Sequence, residues 1–205
     1  MNVAGRRAVA AVMASLLLPG IAAASGCTGP LQVAWRSDRP PLSYSQQGEV
    51  AGLAADYLPL LGMQAAQHAK PLPATVLTEG ALPAGTQVLL GWPRAQLPTG
   101  WVASRAYLEV PQVIVRREGA AAVLGLEGLR GRSVASPDRL PLEPLLAEQA
   151  PGAQLLAPAP LDHALSLLRA GLVDAVVANL AELEAALRAE PGDAVVIAAP
   201  AGFGD

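Results

Sequence analysis

The sequence predicts an α/β fold on three observations. Short, apolar, β-branched runs alternate along the chain with runs whose leucines recur at helical spacing. Gly and Pro, 20 and 19 in 205 residues, divide those runs into many short elements. Residues 161–187, LDHALSLLRAGLVDAVVANLAELEAAL, compress the pattern into helix, strand and helix with almost no linker. There Leu161, Ala164, Leu165 and Leu168 share one helical face, and Gly171 stands where a helix commonly ends. Residues 173–178, VDAVVA, are apolar on both faces past Asp174, as in a strand covered by helices on both sides. Asn179 follows at the carboxyl end of that strand, where it can cap the next helix, meet a ligand, or do both.

The remaining elements follow in order. Residues 31–35, LQVAW, read as the first strand, and Pro40 and Pro41 force residues 36–42 into an extended loop. A turn falls at Gly48. Leu53, Tyr57, Leu60 and Leu61 give a helix over 52–66 that Pro59 and Gly62 should kink or make irregular. Residues 72–90 have room for two strands but no helix between them. Residues 112–117 form a strand, and 128–131 turn into another at 133–135. Pro137 restarts the chain, and Leu142, Leu145 and Leu146 mark a short helix ended by Pro151-Gly152. Strands at 154–157 and 194–199 complete the pattern, which predicts a parallel sheet with right-handed crossovers.

Composition bounds the function. The chain is 52% hydrophobic, enough for a core in one domain or two small lobes. A net charge of −3 and a single lysine, Lys70, leave no basic block for nucleic acid. Residues 1–25 read as a secretory signal peptide: Arg6 and Arg7, the uncharged run 8–18, the Pro19-Gly20 break and the small residues 22–25. No other stretch is long and apolar enough to cross a bilayer. Cys27 is the only cysteine, which excludes an intramolecular disulfide. Residues 24–27, ASGC, resemble a bacterial lipobox, so Cys27 is either a lipid anchor, making the protein peripheral to a membrane, or an incidental thiol.

The order of motifs resembles a known family. LQVAWRSDRPPLSYSQQGEVAGLAADYLPLL is similar to the opening of family 3 extracellular solute-binding proteins, with Pro40, Pro41, Tyr44, Gly48, Gly52 and Asp56 at the matching positions. SRAYLEVPQVIVRR, residues 104–117, resembles the segment that crosses from the first lobe to the second in that family. LEGLRGRSVA, residues 126–135, is similar to the first strand of lobe two, and residues 161–187 to the helix, strand and helix that close it. The wording around Asn179 is most similar to Venus-flytrap input domains of bacterial hybrid sensor kinases. The resemblance implies a two-lobed, periplasmic-binding-protein-like (type II) fold, with lobe one at 26–108 and lobe two at 109–205, gripping a small solute between them in the periplasm. It also implies a trimmed, C-terminally truncated lobe one. The family runs a further strand back across the hinge where this chain reads AGFGD, so the second crossing should be short or absent.

The same resemblance nominates ligand contacts. Arg36 and Arg39 fall in the lobe-one loop that carries them, and Arg94, in GWPR, falls near the arginine that clamps a ligand carboxylate. The planar guanidinium fork suits that task, although each of the three, Arg36 above all, is also readable as a solvated loop arginine. Tyr44 and Trp92 either stack on a ligand or pack lobe one. Ser136, Asp138 and Arg139 precede a lobe-two helix, with Ser136 as its cap. The family's Gly-Ser or Gly-Thr pair is missing there, and Asn179 stands where amino-acid-binding relatives tend to carry an acid for the ligand's ammonium. The expected ligand is therefore a small anionic or neutral molecule, a carboxylate or amino-acid-like compound, rather than a standard α-amino acid.

An enzyme is not expected. His68 and His163 are the only histidines, neither G-x-S-x-G nor H-E-x-x-H occurs, and no nucleophile is visibly paired with a base. Asp162-His163 reads as helix surface, and no cofactor or metal is called for. Two binding roles stay open. One is the substrate-binding component of an ABC transporter, which hands its solute to a membrane permease; Cys27 favours it. The other is the sensor domain of a (hybrid) histidine kinase, which the wording around Asn179 favours.

Overall fold

A computed structural model of the chain describes residues 31–36, 38–47, 49–65, 69–71, 82, 84–190, 192 and 194–204. The readings made for residues 1–30, including the signal peptide and Cys27, and those for Gly48 and His68 lie outside the described residues.

The first half comprises β1 (Leu31–Trp35), β2 (Asp38–Arg39), β3 (Ser43–Gln46), β4 (Glu49–Ala51), helix α1 (Leu53–Ala65), β5 (Ala69–Pro71) and β6 (Val88–Leu90). β1 lies between β5 and β6, parallel to both, and its Val33 and Trp35 bury against Ala54 and Leu90. β2, β3 and β4 form a separate antiparallel meander. The extended loop expected over 36–42 is instead a hairpin around a cis Pro40–Pro41 bond. Asp38 and Arg39 pair with Tyr44 and Ser43, and the Ser43 hydroxyl donates to the Arg36 carbonyl, closing the reversal. Helix α1 runs as one helix through Pro59. Its start is anchored: the amides of Leu53 and Ala54 donate to the carbonyls of Pro41 and Leu42, at 3.2 and 2.9 Å, and Ala54 is buried. Gly52 permits this approach. Its φ is +97°, and a Cβ there would lie 2.5 Å from the Pro41 carbonyl oxygen.

The second half comprises β7 (Pro111–Arg117), a 3-10 turn at Leu126–Leu129, β8 (Ser133–Ala135), α2 (Arg139–Gln149), β9 (Gln154–Leu155), α3 (Leu161–Ala170), β10 (Ala175–Asn179), α4 (Leu180–Ala189) and β11 (Val195–Gly204). Its five-stranded sheet has the order β11-β7-β10-β8-β9. β8 is parallel to β9 and β10, as the βα alternation requires, whereas β7 is antiparallel to β10 and β11. The sheet is thus mixed rather than all parallel. β7 is no product of a helical crossover: it enters from the first half, and β11 doubles back along it. β11 is longer than the strand read at 194–199 and reaches Gly204, opposite Pro111, so a return strand does run beside the crossing. Pro200 and Gly202 conceal it in the sequence, and register shifts after Ile197 and Pro200 accommodate them.

Alternation along these strands builds two cores, one on each face. Val113, Val115, Val176 and Ala178 pack with Leu165, Leu168 and Leu183 of α3 and α4. Ile114, Val134, Ala175 and Val177 pack on the opposite face with Leu126, Leu129, Leu142 and Leu146. α3 ends as read, with Gly171 in the left-handed region at φ 75° and its amide donating to the Leu168 carbonyl.

Candidate functional site

The two halves meet where the amino ends of α2 and α4 face the β2–β3 hairpin, and the contact is ionic. The Arg39 Nε donates to Glu182 Oε1 at 2.5 Å, and its Nη2 donates to Asp138 Oδ2 at 2.9 Å. All three residues are buried, Arg39 with 5% of its surface exposed. The network continues on the first-half side. Gln96 Nε2 donates to Asp138 Oδ1, Arg36 Nη1 donates to Gln96 Oε1, both at 2.6 Å, and Arg36 grips both oxygens of Asp38. Burial works against ionisation of Asp38, but the Arg36 hydrogen bonds and charge outweigh it and hold the carboxyl below its ordinary value.

Local structure explains why these acids point across the interface. Asp138 is the residue before α2, yet its side chain makes no cap; Ser136, expected as the cap, instead accepts from the Asp138 amide at 3.2 Å. The helix begins at Arg139, two residues too late for Ser136 to be its N-cap. Glu182 sits in the first turn of α4, where the helix dipole favours an anion. Asn179 caps α4 as read: its Oδ1 accepts from the amides of Ala181 and Glu182, at 3.0 and 3.4 Å.

Arg39 stands between two cavities and lines both. The first, of about 330 Å³, is bounded by Trp92, Arg94, Trp101, Arg105, Tyr107 and Asn179 among others. Among the described residues no Asp or Glu lines it, while Arg39, Arg94 and Arg105 do. The Asn179 Nδ2 has no hydrogen-bond partner and the residue is 1% exposed, so this wall presents a buried, unpaired donor. Tyr107 stacks on Tyr57 of α1 with ring centroids 4.4 Å apart, and burial raises its hydroxyl pKa above the usual value. The second cavity, of about 620 Å³, lies between Arg36, Asp38 and Pro40 on one side and Pro158, Leu161 and Ala186 on the other. Both volumes fall in the range of roughly 300–1,000 Å³ that suits small molecules.

The nominated residues therefore divide. Arg39, Trp92, Arg94 and Asn179 line the first cavity, Arg36 and Arg39 the second. Tyr44 is half-buried on β3, with backbone pairing to both β2 and β4, and lines neither cavity; Ser136 is buried beside Asp138 and lines neither. Arg139 opens α2, and its side chain lies outside the described residues. Sequence reasoning missed Gln96, Trp101, Arg105, Tyr107 and Glu182. For Glu182 a signal existed, since Asn179 and Glu182 have capping-box spacing. Among the described residues no cluster of His, Cys, Asp and Glu suits a metal ion, and no helix is long and apolar enough to cross a membrane.

This arrangement, two α/β halves joined at a crossing strand with a cleft between them, is the two-lobed architecture of periplasmic binding proteins, and solved structures of that fold match it. The periplasmic VFT2 domain of Bordetella pertussis BvgS matches with a TM-score of 0.67 and 22% identity, over 85% of this chain and 76% of that one. An ancestral arginine-binding protein bound to glutamine matches with a TM-score of 0.63 and 23% identity, over 86% and 82%. The holo arginine-binding protein of T. maritima matches at 0.59 and 20%, over 86% and 80%. No protein-family model and no curated protein matches.

Proposed function

We propose that the protein binds a small carboxylate-bearing or amino-acid-like solute between lobe one (26–108) and lobe two (109–205), outside the cytoplasm, as the substrate-binding component of a transport system, and is not an enzyme. The single observation that carries this is the first cavity: Arg94 and Arg105 on a wall that no described Asp or Glu lines, aromatic walls, and the unpaired Asn179 Nδ2. A carboxylate oxygen supplies the acceptor that this donor lacks, and Arg94 and Arg105 supply the countercharge. The likeness to arginine-binding proteins, one of them bound to glutamine, supports a solute of that size. A second reading, the ligand-sensing domain of a histidine kinase, draws on the likeness to the BvgS domain.

The test is a thermal-shift series on the purified protein with succinate, benzoate, glutamate, glutamine and arginine. A bound solute at a hundred times its Kd adds about 2.7 kcal/mol of stability, hence a rise of roughly 5–10 °C in Tm. Asn179→Asp keeps the capping oxygen and removes the donor, so it should abolish that rise while changing the unliganded Tm little. If no compound on the panel stabilises the wild type, the reading fails.

A further inference from the structure

We propose that Asp138 and Glu182 form a guanidinium-binding site that the chain fills with its own Arg39, and that this internal occupant, rather than a solute, holds the two halves together and excludes cationic ligands. The inference goes beyond solute binding and stands whether or not the first cavity takes a carboxylate.

Three observations carry it. The first is the geometry: two buried carboxylates, one at the amino end of each of two helices, receive separate nitrogens of one guanidinium at 2.5 and 2.9 Å. That is forked recognition of a planar cation, which a point charge such as an ammonium satisfies less well. The second is the chain separation. Arg39 lies 99 and 143 residues from its partners, on the opposite half, so each of its bonds is an inter-lobe bond. The third is Arg39's position between the cavities, lining both. Its side chain is a partition, and shortening it joins the two spaces and bares both acids to whatever enters.

The consequence for specificity follows from charge. With Arg39 in place, Asp138 and Glu182 are compensated, Gln96 holds the second oxygen of Asp138, and among the described residues no carboxylate lines the first cavity. A guanidinium or ammonium entering the first cavity therefore meets arginines and a neutral amide donor. Removing Arg39 inverts this, leaving two carboxylates around a guanidinium-shaped space.

The experiment is chemical rescue. In Arg39→Ala, the Tm should fall by on the order of 10 °C, since breaking a buried pair strands its partners, and small-angle scattering should give a larger radius of gyration. Millimolar methylguanidinium should restore most of both losses, whereas methylammonium at the same concentration should not. The wild type should respond to neither. If Arg39→Ala does not fold, Arg39→Lys serves, because it keeps a cation that engages one carboxylate: its radius should fall between wild type and open, and methylguanidinium should not compact it further. The proposal is overturned if Arg39→Ala keeps the wild-type radius, if methylammonium rescues as well as methylguanidinium, or if methylguanidinium stabilises the wild type.

Discussion

In the second half of the molecule, a five-stranded sheet is covered on both faces by buried aliphatic side chains, with Ile114 on one side and Val113 and Val115 on the other. In the first half, the described core is Val33, Trp35, Ala54 and Leu90, and the β2–β3–β4 meander forms a sheet separate from it. The second half is built to hold its shape by burial, while the first is held to the second by Arg39 at Asp138 and Glu182. A cleft protein gains from that asymmetry. One half offers helix ends that aim Asn179 and the two acids, and the other meets them through the buried ionic ties of Arg39.

The largest expected effect separates the halves by their cores. Ile114→Ala removes a fully buried side chain from the centre of the second-half sheet and should cost about 2–5 kcal/mol. Leu90→Ala, in the smaller first-half cluster, should cost less in total and act locally. Hydrogen exchange reads the difference: Leu90→Ala should lose protection in β1 and β6 while β7 and β10 keep theirs, and Ile114→Ala should lose it throughout the second-half sheet. Loss of β10 protection in Leu90→Ala would mean the halves unfold as one unit, and the comparison would not hold.

A smaller effect tests how the second half secures a helix end. Arg117 Nη1 donates to the carbonyls of Leu168 and Val173, at 3.0 and 2.9 Å, and so ties β7 to the end of α3 and the following loop. A cation at a helix carboxyl end also suits the dipole. Arg117→Ala should lower stability by about 1–3 kcal/mol in urea titration, with no change in the inter-lobe contact reported by the scattering radius. A larger radius in that variant would show that α3 positions the cleft as well as the core.

How far these features were legible follows from the range of the interactions behind them. Helix α3, its Gly171 stop, strand β10 and the Asn179 cap depend on neighbours within a few residues, and periodicity and capping chemistry reveal them. The sequence pattern of β11 stops short because Pro200 and Gly202 break it, whereas pairing to β7 sustains the strand through bulges. The hairpin at Asp38–Ser43 looks like an extended loop in the sequence because two prolines signal extension locally, and the strand pairing that reverses the chain is not a local property. Arg39 was nominated for a reason the structure recasts: its cationic fork is used, but on the chain's own acids. Nothing in the sequence links residue 39 to residues 138 and 182, because inter-lobe register is set by the hinge. Trp101, Arg105 and Tyr107 lie in a stretch without regular structure, where no period exposes a common face.

The smallest effect concerns acid, and it sharpens the contrast between the two halves because each has a depressed carboxyl. The Ser133 amide and hydroxyl both donate to Asp174 Oδ2 at 2.8 Å, and these bonds hold the Asp174 carboxyl below the ordinary 3.8. A folded-state pKa below the unfolded one contributes stability that is present above the unfolded value and disappears as pH falls through the folded one. Asp174→Asn keeps an acceptor for Ser133 but loses the charge, so it should cost about 0.5–1.5 kcal/mol near neutral pH and nothing once the pH is below the depressed value. Asp38, lowered through Arg36, gives the first half a similar dependence, weakened by its exposure to solvent. Urea titrations of Asp174→Asn and Asp38→Asn run downward from pH 7 should therefore approach the wild type as the pH falls through the depressed value of each carboxyl. The Asp174 change should act on the second-half amides in hydrogen exchange, and the Asp38 change on β2 and β3. A loss in Asp174→Asn that stays constant as the pH falls until the protein unfolds would assign the tie between β8 and β10 to packing rather than to the carboxylate.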